Sequence, residues 1–284
     1  MALIAASPGK AVAALLADGR LHLQHGPIDI LADAFGPPTA VRAAQARAAR
    51  RFATVLDELV AELPALRATD QPVSGAIARC MAAAVAPFRP AFITPMAAVA
   101  GAVAEAVLDA LTGPGITRAY VNNGGDIALW LGPGESLTCA LAGSGGGDRV
   151  TVRSTDPIRG IATSGWRGRS FSLGIADAVT VVARTAAMAD AAATMLANAV
   201  TLDHPGIQRR PAREMQHDSD LCDLSVTVAV PLLTPAERAL ALQAGRRAAQ
   251  DLRLRGLIAG AALFLQGEGH VTGVMSLEEG NASA

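Results

Sequence analysis

The chain has 284 residues, of which 51% are hydrophobic and 17% are charged, and its formal net charge is −1. This length supports a large apolar core, in one domain or in two interlocked lobes. The balanced charge provides no basic field for nucleic acid or anionic lipid, so the composition argues against both kinds of partner.

Three cysteines and five histidines lie scattered along the chain without metal-ligand spacing. We expect buried thiols in a reducing cytoplasm and no zinc site. The N-terminus lacks the basic lead and apolar run of a signal peptide, and the apolar stretch from Met96 to Ala104 falls far short of the roughly 20 residues that a membrane span requires. The sequence therefore predicts a soluble, cytoplasmic protein.

The first part of the chain predicts a hairpin and then helices. Alternating apolar residues about a Gly-Pro turn are typical of a β-hairpin, and later apolar residues recur at helical spacing. Thr94 and Pro95 predict the N-cap and first position of the third helix. The predicted elements are a hairpin over residues 20–31 and helices over about 39–62, 74–85 and 94–113.

The second part is richer in strands. A capping box at Thr234 and Glu237 predicts the start of the last helix. Strands are predicted over about 118–121, 127–131, 136–142, 149–154, 178–183, 225–230 and 257–266, helices over about 186–200 and 234–255, and a loop over 202–223. This order lacks regular βαβ alternation, so it predicts an α+β fold with helices packed on antiparallel sheets. We expect one domain over 1–275, with interlocked lobes at roughly 15–135 and 136–275, and a tail over 276–284.

The turn Asn-Asn-Gly-Gly-Asp at residues 122–126 lies between two predicted strands. Asn-Gly is the strongest short-range signal for a hairpin turn. Paired glycines also let a ligand approach the backbone, and the polar side chains offer hydrogen bonds to a ring or a ribose. The cofactor-binding candidates here are Asn122, Asn123, Gly124, Gly125 and Asp126.

A second polar segment, Ala-Thr-Ser-Gly-Trp-Arg-Gly-Arg-Ser, occupies residues 162–170. Backbone N–H groups and hydroxyls suit phosphate oxygens, and guanidinium groups bind phosphate in a bidentate manner. The segment therefore predicts a phosphate-binding turn; a solvated polar loop is the alternative. The candidates for cofactor binding are Thr163, Ser164 and Gly165, and those for phosphate contact and catalysis are Arg167 and Arg169.

Asp190 and Thr194 lie four residues apart in a predicted helix of small apolar residues. This spacing puts both oxygens on one helix face, where they could share a Mg²⁺ ion whose other ligands are phosphate and water oxygens. The alternative is an Asp favoured by the helix dipole and a Thr bonded back to the helix. Asp218 and Asp220 likewise admit a cation site or a loop with Asx-turns.

Three of these segments occur in the order typical of a known family. The motifs at 121–126, 162–165 and 189–194 resemble those of the ApbE-like flavin transferases. The run at 165–177, Asp-Ser-Asp-Leu at 218–221 and the apolar segment at 256–265 resemble an uncharacterised branch of that superfamily. The resemblance covers about residues 15–275.

The resemblance implies duplicated antiparallel sheet-and-helix units, related to the tunnelling fold (T-fold) that binds purines and pterins. It implies FAD bound with Mg²⁺, and transfer of FMN to a threonine of an acceptor protein or hydrolysis of FAD to FMN and AMP. Asp190 and Thr194 match the metal-ligand pair, and Ala97 matches the position that supplies a backbone carbonyl ligand. Asp190 is therefore also a catalytic candidate. The high apolar content is in addition compatible with a homo-oligomer.

Departures from the family pattern leave three functional hypotheses open. Ala100 stands at the family's lysine position, Glu105 at its aspartate, and the segment His-Ile-Ile-Asp-Pro is absent. Loss of a cation and a histidine beside a pyrophosphate weakens electrostatic and acid–base assistance. The hypotheses are a Mg²⁺-dependent FMN transferase or FAD pyrophosphatase, a catalytically silent flavin, nucleotide or pterin binder, and an enzyme acting on a pterin or purine-like substrate.

Overall fold

The computed structural model describes residues 2–5, 11–140 and 149–274. Within these ranges, every helix is too short or too polar to traverse a lipid bilayer. The predicted tail over 276–284 lies outside the described residues, as do the last two residues of the strand predicted over 136–142.

Fourteen strands and seven α-helices make up this part of the chain. The strands are β1 Ala2–Ala5, β2 Val12–Leu15, β3 Leu21–His25, β4 Ile28–Phe35, β5 Arg118–Asn123, β6 Asp126–Leu131, β7 Ser136–Ala140, β8 Arg149–Arg153, β9 Gly160–Ser164, β10 Ala178–Ala183, β11 Gln208–Pro211, β12 Ser225–Ala229, β13 Gly260–Leu265 and β14 Glu268–Gly273. The helices are α1 Pro38–Ala61, α2 Leu63–Leu66, α3 Ala76–Val85, α4 Val99–Leu111, α5 Ala186–Ala199, α6 Ala212–Met215 and α7 Pro235–Leu254, and a 3₁₀ turn over Pro95–Ala98 leads into α4.

One ten-stranded sheet organises the fold, in the order β1-β2-β3-β4-β5-β6-β9-β10-β13-β14. Each neighbouring pair in it is antiparallel. The topology repeats: the hairpins β3-β4 and β5-β6 enclose α1 to α4 in the chain, and the hairpins β9-β10 and β13-β14 enclose α5 to α7. The two repeats meet where β6 pairs with β9, so both predicted lobes contribute to a single sheet.

The two faces of this sheet are covered differently. The helices α1, α4, α5 and α7 pack on one face, where side chains of alternate strand residues join the main apolar core. The hairpin β7-β8 covers part of the opposite face with Cys139, Val150 and Val152, over a second and smaller apolar cluster. A residue's position in the strand alternation therefore decides whether its side chain faces the helices.

The predicted α+β class with antiparallel pairing is confirmed, and the capping box of α7 forms both of its hydrogen bonds. The prediction of a loop over 202–223 is wrong in part, because β11 and α6 lie within it. The sequence also failed to reveal β9 and β14 as strands. Both contain glycine and threonine in place of a clear apolar alternation.

The prediction that Thr94 caps the third helix with its side chain is wrong. Its backbone is extended, as at an N-cap, and Pro95 follows at the first helical position, but its hydroxyl makes no capping hydrogen bond. The hydroxyl instead donates to Asp220, at 2.5 Å. Tertiary packing of the 212–224 segment therefore replaces the local contact.

Candidate functional site

The predicted turn at residues 122–126 is a two-residue β-hairpin, with Gly124 and Gly125 between β5 and β6. Their φ angles of 66° and 115° are those that glycine adopts most easily. The Asn122 side-chain oxygen accepts the N–H of Gly125, at 2.8 Å, and so closes the turn. The β3-β4 turn and the C-terminal end of β9 lie at the same end of the sheet.

Asn123 and Asp126 flank this turn and are both nearly buried, at 7% and 9% exposure. They are direct partners in the β5-β6 register, and their alternation with Val121 and Ala128 places them on the helix-covered face. Asn123 Nδ2 donates to the carbonyl oxygen of Ala100 at 3.1 Å. An Asp126 carboxylate oxygen accepts the N–H of Thr163 at 3.1 Å.

Asp190 of α5 lies against the first turn of α4. Its Oδ2 accepts the N–H of Gly101 at 3.0 Å, and the N–H of Ala100 also bonds to the carboxyl group. Unpaired N–H groups and the positive end of the helix dipole make a helix N-terminus a favourable place for a carboxylate. Asp190 thus caps α4, whereas the N-cap of its own helix α5 is Thr185. This arrangement differs from the predicted alternative of an Asp favoured by the dipole of its own helix.

The carboxyl groups of Asp126 and Asp190 influence each other. Burial raises the pKa of Asp126 to about 7, opposed by the hydrogen bond from Thr163. Burial also raises the pKa of Asp190 well above its usual range, and repulsion by the Asp126 carboxylate raises it further. Asp190 nevertheless keeps part of its surface open to solvent. We use the name carboxylate recess for the group formed by Asn123, Asp126, Asp190 and the first turn of α4.

Helices α4 and α5 are locked together beside this recess. Glu105 of α4 accepts the N–H of Ala187 at the start of α5, at 2.8 Å, and the Cys80 thiol donates to the same carboxylate at 3.3 Å. A side chain at Gly101 would place its Cβ 2.3 Å from the carbonyl oxygen of Ala186. Each helix thus supplies a carboxylate to the N-terminus of the other, and Gly101 permits the close approach.

The segment at 162–170 is a strand followed by a loop, so the expectation that it forms a single turn is wrong. Thr163 and Ser164 end β9, and the loop begins at Gly165. The Thr163 hydroxyl bonds to the Thr180 hydroxyl, at 2.8 Å, on the sheet face opposite the helices. Thr163 therefore contributes its backbone N–H to the recess, while the strand alternation puts the side chain of Ser164 on the helix-covered face.

Arg167 and Arg169 have different surroundings. Arg167 Nε pairs with Asp177 at 2.9 Å, and its guanidinium lies 5.2 Å from the centre of the Trp166 ring. Arg169 Nη2 donates to the carbonyl oxygen of Pro27 at 3.1 Å, and its guanidinium lies against Gly124. Within the described residues Arg169 has no acidic partner. The structure therefore places Arg169 beside the predicted hairpin turn, whereas Arg167 is paired with Asp177.

The remaining candidate ligands belong to the elements around the recess. Thr194 follows Asp190 by one helical turn and is partly exposed. The alternative had predicted that its hydroxyl bonds back to the helix, and no such bond is among the described contacts. Ala97 lies in the 3₁₀ turn that leads into α4. Asp218 pairs with Arg67 at 2.8 Å, so it and Asp220 are engaged in side-chain contacts. No three His, Cys, Asp or Glu residues gather as a metal site anywhere in the described ranges.

Sequence reasoning missed the roles of Gly101, Glu105 and Asp177. Asp177 accepts from the Trp166 indole N–H at 3.2 Å and from the backbone N–H of Gln266, so it holds the 165–177 loop against the β13-β14 turn. A glycine in the interior of a helix is a signal of close packing that could have identified Gly101. Nothing local to the other two residues indicates their partners.

Residues 13–272 match the protein family described as AbpE bacteria. The chain is also similar to the UPF0280 proteins of Methanothrix thermoacetophila, at 40% identity over 160 residues covering 53% of this chain and 65% of that protein, and of Methanococcoides burtonii, at 40% identity over 119 residues covering 41% and 50%. The UPF0280 protein of Methanopyrus kandleri is 34% identical over 197 residues, covering 64% and 76%. The chain thus spans only half to about two thirds of the length of the first two relatives.

Among solved structures, the chain is similar to the apo form of the Pseudomonas stutzeri flavinyl transferase ApbE. The two are 14% identical, with a TM-score of 0.36 and coverage of 92% of this chain and 93% of that chain. A similarity of this degree carries no argument about the site.

Proposed function

Because the chain belongs to the AbpE bacteria family, we propose that it binds a flavin nucleotide, with FAD as the first candidate, together with Mg²⁺ at the carboxylate recess. The observation that carries the proposal is the pair of desolvated carboxyl groups, Asp126 and Asp190, that repel each other beside the N-terminus of α4. A protein that buries two acidic groups together must protonate one of them or bring a cation to them.

The donor set fits Mg²⁺. This ion prefers oxygen ligands, takes few of them from the protein, and keeps water and phosphate oxygens for the rest. Asp190 and Asp126 would supply carboxylate oxygens, Thr194 a hydroxyl one helical turn further on, and Ala97 a backbone carbonyl. When bound, Mg²⁺ would neutralise the charge of a diphosphate.

Arg169 is the cation that we assign to the phosphates. Its guanidinium is exposed, lies beside the exposed backbone of Gly124, and bonds only to a neutral carbonyl among the described contacts. A phosphate oxygen is a stronger acceptor for guanidinium than a carbonyl is. Arg167 instead pairs with Asp177, which gives it a structural role in the loop. The partly exposed Ser164 borders the same turn and would contact the nucleotide, whereas the hydroxyl and the N–H of Thr163 are engaged by Thr180 and Asp126.

Two chemical outcomes are compatible with this binding mode. One is cleavage of the FAD diphosphate, with FMN passing to an acceptor protein or to water. The other is binding without turnover. Binding without turnover is favoured by the surroundings of Asp126 and Asp190. Within the described residues, neither carboxyl group forms a hydrogen bond or an ion pair with a lysine or histidine, the residues that would assist cleavage.

The first experiment measures FAD binding by titration calorimetry at neutral pH, with and without MgCl₂. A concentration of roughly 5 mM MgCl₂ is chosen so that Mg²⁺ is in excess over its own Kd. We expect saturable binding that requires Mg²⁺. Asp190→Asn keeps an oxygen that can accept the N–H bonds of α4 but removes the charge, so it should abolish the Mg²⁺ dependence. Asp57→Asn, on the exposed face of α1, is the matched control. No FAD binding by the folded wild type, or an unchanged Mg²⁺ dependence in Asp190→Asn, would refute the proposal.

A second pair of variants tests the assignment of the two arginines. Arg169→Ala should weaken FAD binding by about tenfold or more, the usual effect of losing a charge-assisted hydrogen bond. Arg167→Ala removes the same charge two residues away, and should mainly lower the melting temperature by freeing Asp177. Equal losses of affinity in both variants would contradict the assignment. Release of AMP from FAD by the wild type, followed by chromatography, separates turnover from silent binding.

A further inference from the structure

A groove separate from the carboxylate recess lies between α7 and β14. It has a volume of about 460 Å³ and is lined by Ala236, Ala239, Leu240, Leu242, Gln243, Arg246, Gly269 and His270. The strand β14 is the last strand of the ten-stranded sheet and the fourth beyond β6. At a strand spacing of about 4.8 Å, the groove is therefore about 19 Å from the carboxylate recess along the sheet.

The strand alternation turns the polar side chains of β14 toward α7. His270 is paired with Leu263, which belongs to the helix-side core, and Glu268 and Thr272 share its alternation. Glu268 pairs with Arg238 of α7, at 2.7 Å. Arg246 of α7 and His270 of β14 both line the groove.

The groove is lined here by one guanidinium group, Arg246, and by the imidazole of His270, which offers a ring N–H. Arg246 is exposed, and it has no carboxylate partner within the described part of the chain. His270 bonds to the Thr272 hydroxyl at 3.2 Å. Burial lowers the pKa of His270, and the positive charge of Arg246 lowers it further. Among the described residues of β14, Glu268 is the carboxylate on the side that faces α7, and it is paired with Arg238. The charge of Arg246 is therefore not balanced by a carboxylate contact within the described part of the chain.

The other end of the groove is apolar. The alanines at 236 and 239 present methyl groups, and Leu240 is 56% exposed although it adjoins the cavity. Burying such a side chain against a hydrocarbon is favourable at roughly 25 cal/mol per Å² of apolar surface. The volume lies within the range of about 300–1,000 Å³ that small-molecule sites occupy.

We propose that the groove between α7 and β14 binds a small organic anion, with its carboxylate or phosphate between Arg246 and His270 and its hydrocarbon body against Ala236, Ala239 and Leu240. The anion supplies the negative charge that the described chain does not place beside Arg246. The hydrocarbon covers the exposed face of Leu240. The groove is separate from the carboxylate recess, because the two share no residue.

Octanoate, hexyl phosphate and inorganic phosphate are suitable probes, titrated into the full chain by calorimetry. We expect saturable binding of at least one of the two amphiphiles, and much weaker binding of inorganic phosphate. Binding of octanoate alone would show that the site is selective for carboxylates, and binding of hexyl phosphate alone that it is selective for phosphates. Binding of both would show that the site accepts either head group. No saturable binding of either amphiphile, or inorganic phosphate binding as tightly as hexyl phosphate, would overturn the proposal.

The adjacent arginines provide a matched pair of variants. Arg246→Gln should weaken amphiphile binding by about tenfold, as expected for loss of a charge-assisted contact. Arg247→Gln removes the same charge from the next exposed position on α7, outside the groove lining, and should leave the affinity within about twofold. Leu240→Ser should weaken the amphiphiles but not inorganic phosphate. Equal effects of the two arginine variants would show non-specific attraction and overturn the site.

Discussion

Replacing Asp126 by asparagine should change how the stability of this protein depends on pH. Asp126 is nearly buried, and burial raises the pKa of its carboxyl group from 3.8 to about 7. The native state therefore binds this proton more tightly than the unfolded chain does. Stability is undiminished at low pH, falls as the pH rises from about 4, and levels off above about 7.

The magnitude follows from the two pKa values. Each pKa unit is worth roughly 1.4 kcal/mol, so the ionised carboxylate costs the native state about 4 kcal/mol at high pH. Between pH 5 and pH 8 the corresponding loss of unfolding free energy is about 3 kcal/mol. Asp190 contributes in the same direction, because its pKa is raised as well. Asp126→Asn keeps an oxygen that can accept the Thr163 N–H but carries no ionisable group.

Urea unfolding, followed by circular dichroism at several pH values between 5 and 8 with EDTA present, measures this effect. The wild type should lose stability across the range, and Asp126→Asn should lose about 3 kcal/mol less. Asp57→Asn should behave like the wild type. Adding MgCl₂ at pH 8 should stabilise the wild type and not Asp126→Asn, because a ligand that binds only the native state stabilises it. Parallel pH profiles for the wild type and Asp126→Asn would refute the assignment of a desolvated carboxyl group.

Three further predictions concern the packing around the carboxylate recess, the accessibility of the thiols and the cap of α7. Gly101→Ala should lower the unfolding free energy by about 2 kcal/mol or more, because the new Cβ would lie 2.3 Å from a carbonyl oxygen of α5; unchanged urea unfolding would contradict this close packing. At pH 8 one thiol of the folded protein should react with a disulfide reagent, the exposed Cys222, since burial raises the pKa of Cys80 to about 12 and of Cys139 to about 11; a three-thiol titration without denaturant would contradict it. Thr234→Ala should cost about 1 kcal/mol through loss of the α7 capping box, and Thr234→Ser, measured in parallel, should recover most of it.

Local sequence patterns predicted the elements that local forces determine. The Asn-Gly turn, the capping box of α7 and the apolar periodicity of α1 each specify a conformation within a few residues of chain, and each is found. The strand β9 escaped prediction because its residues Gly-Ile-Ala-Thr-Ser owe their extended form to pairing with β6 and β10. Its glycine is required by the α5 backbone, which lies where a Cβ would be.

The sequence alone made Asp190, Asp126, Arg167 and Arg169 candidate site residues, since charged and polar groups stand out in an apolar chain. Only the tertiary structure decided their relations. It placed the Asp190 carboxyl group at the N-terminus of α4 and brought Asp126 close enough to raise the pKa of Asp190. It also paired Arg167 with Asp177 and placed Arg169 against Gly124. Apart from the Arg167–Asp177 pair, these contacts join segments far apart in the chain. They depend on how the helices pack on the sheet, and no local pattern encodes that packing.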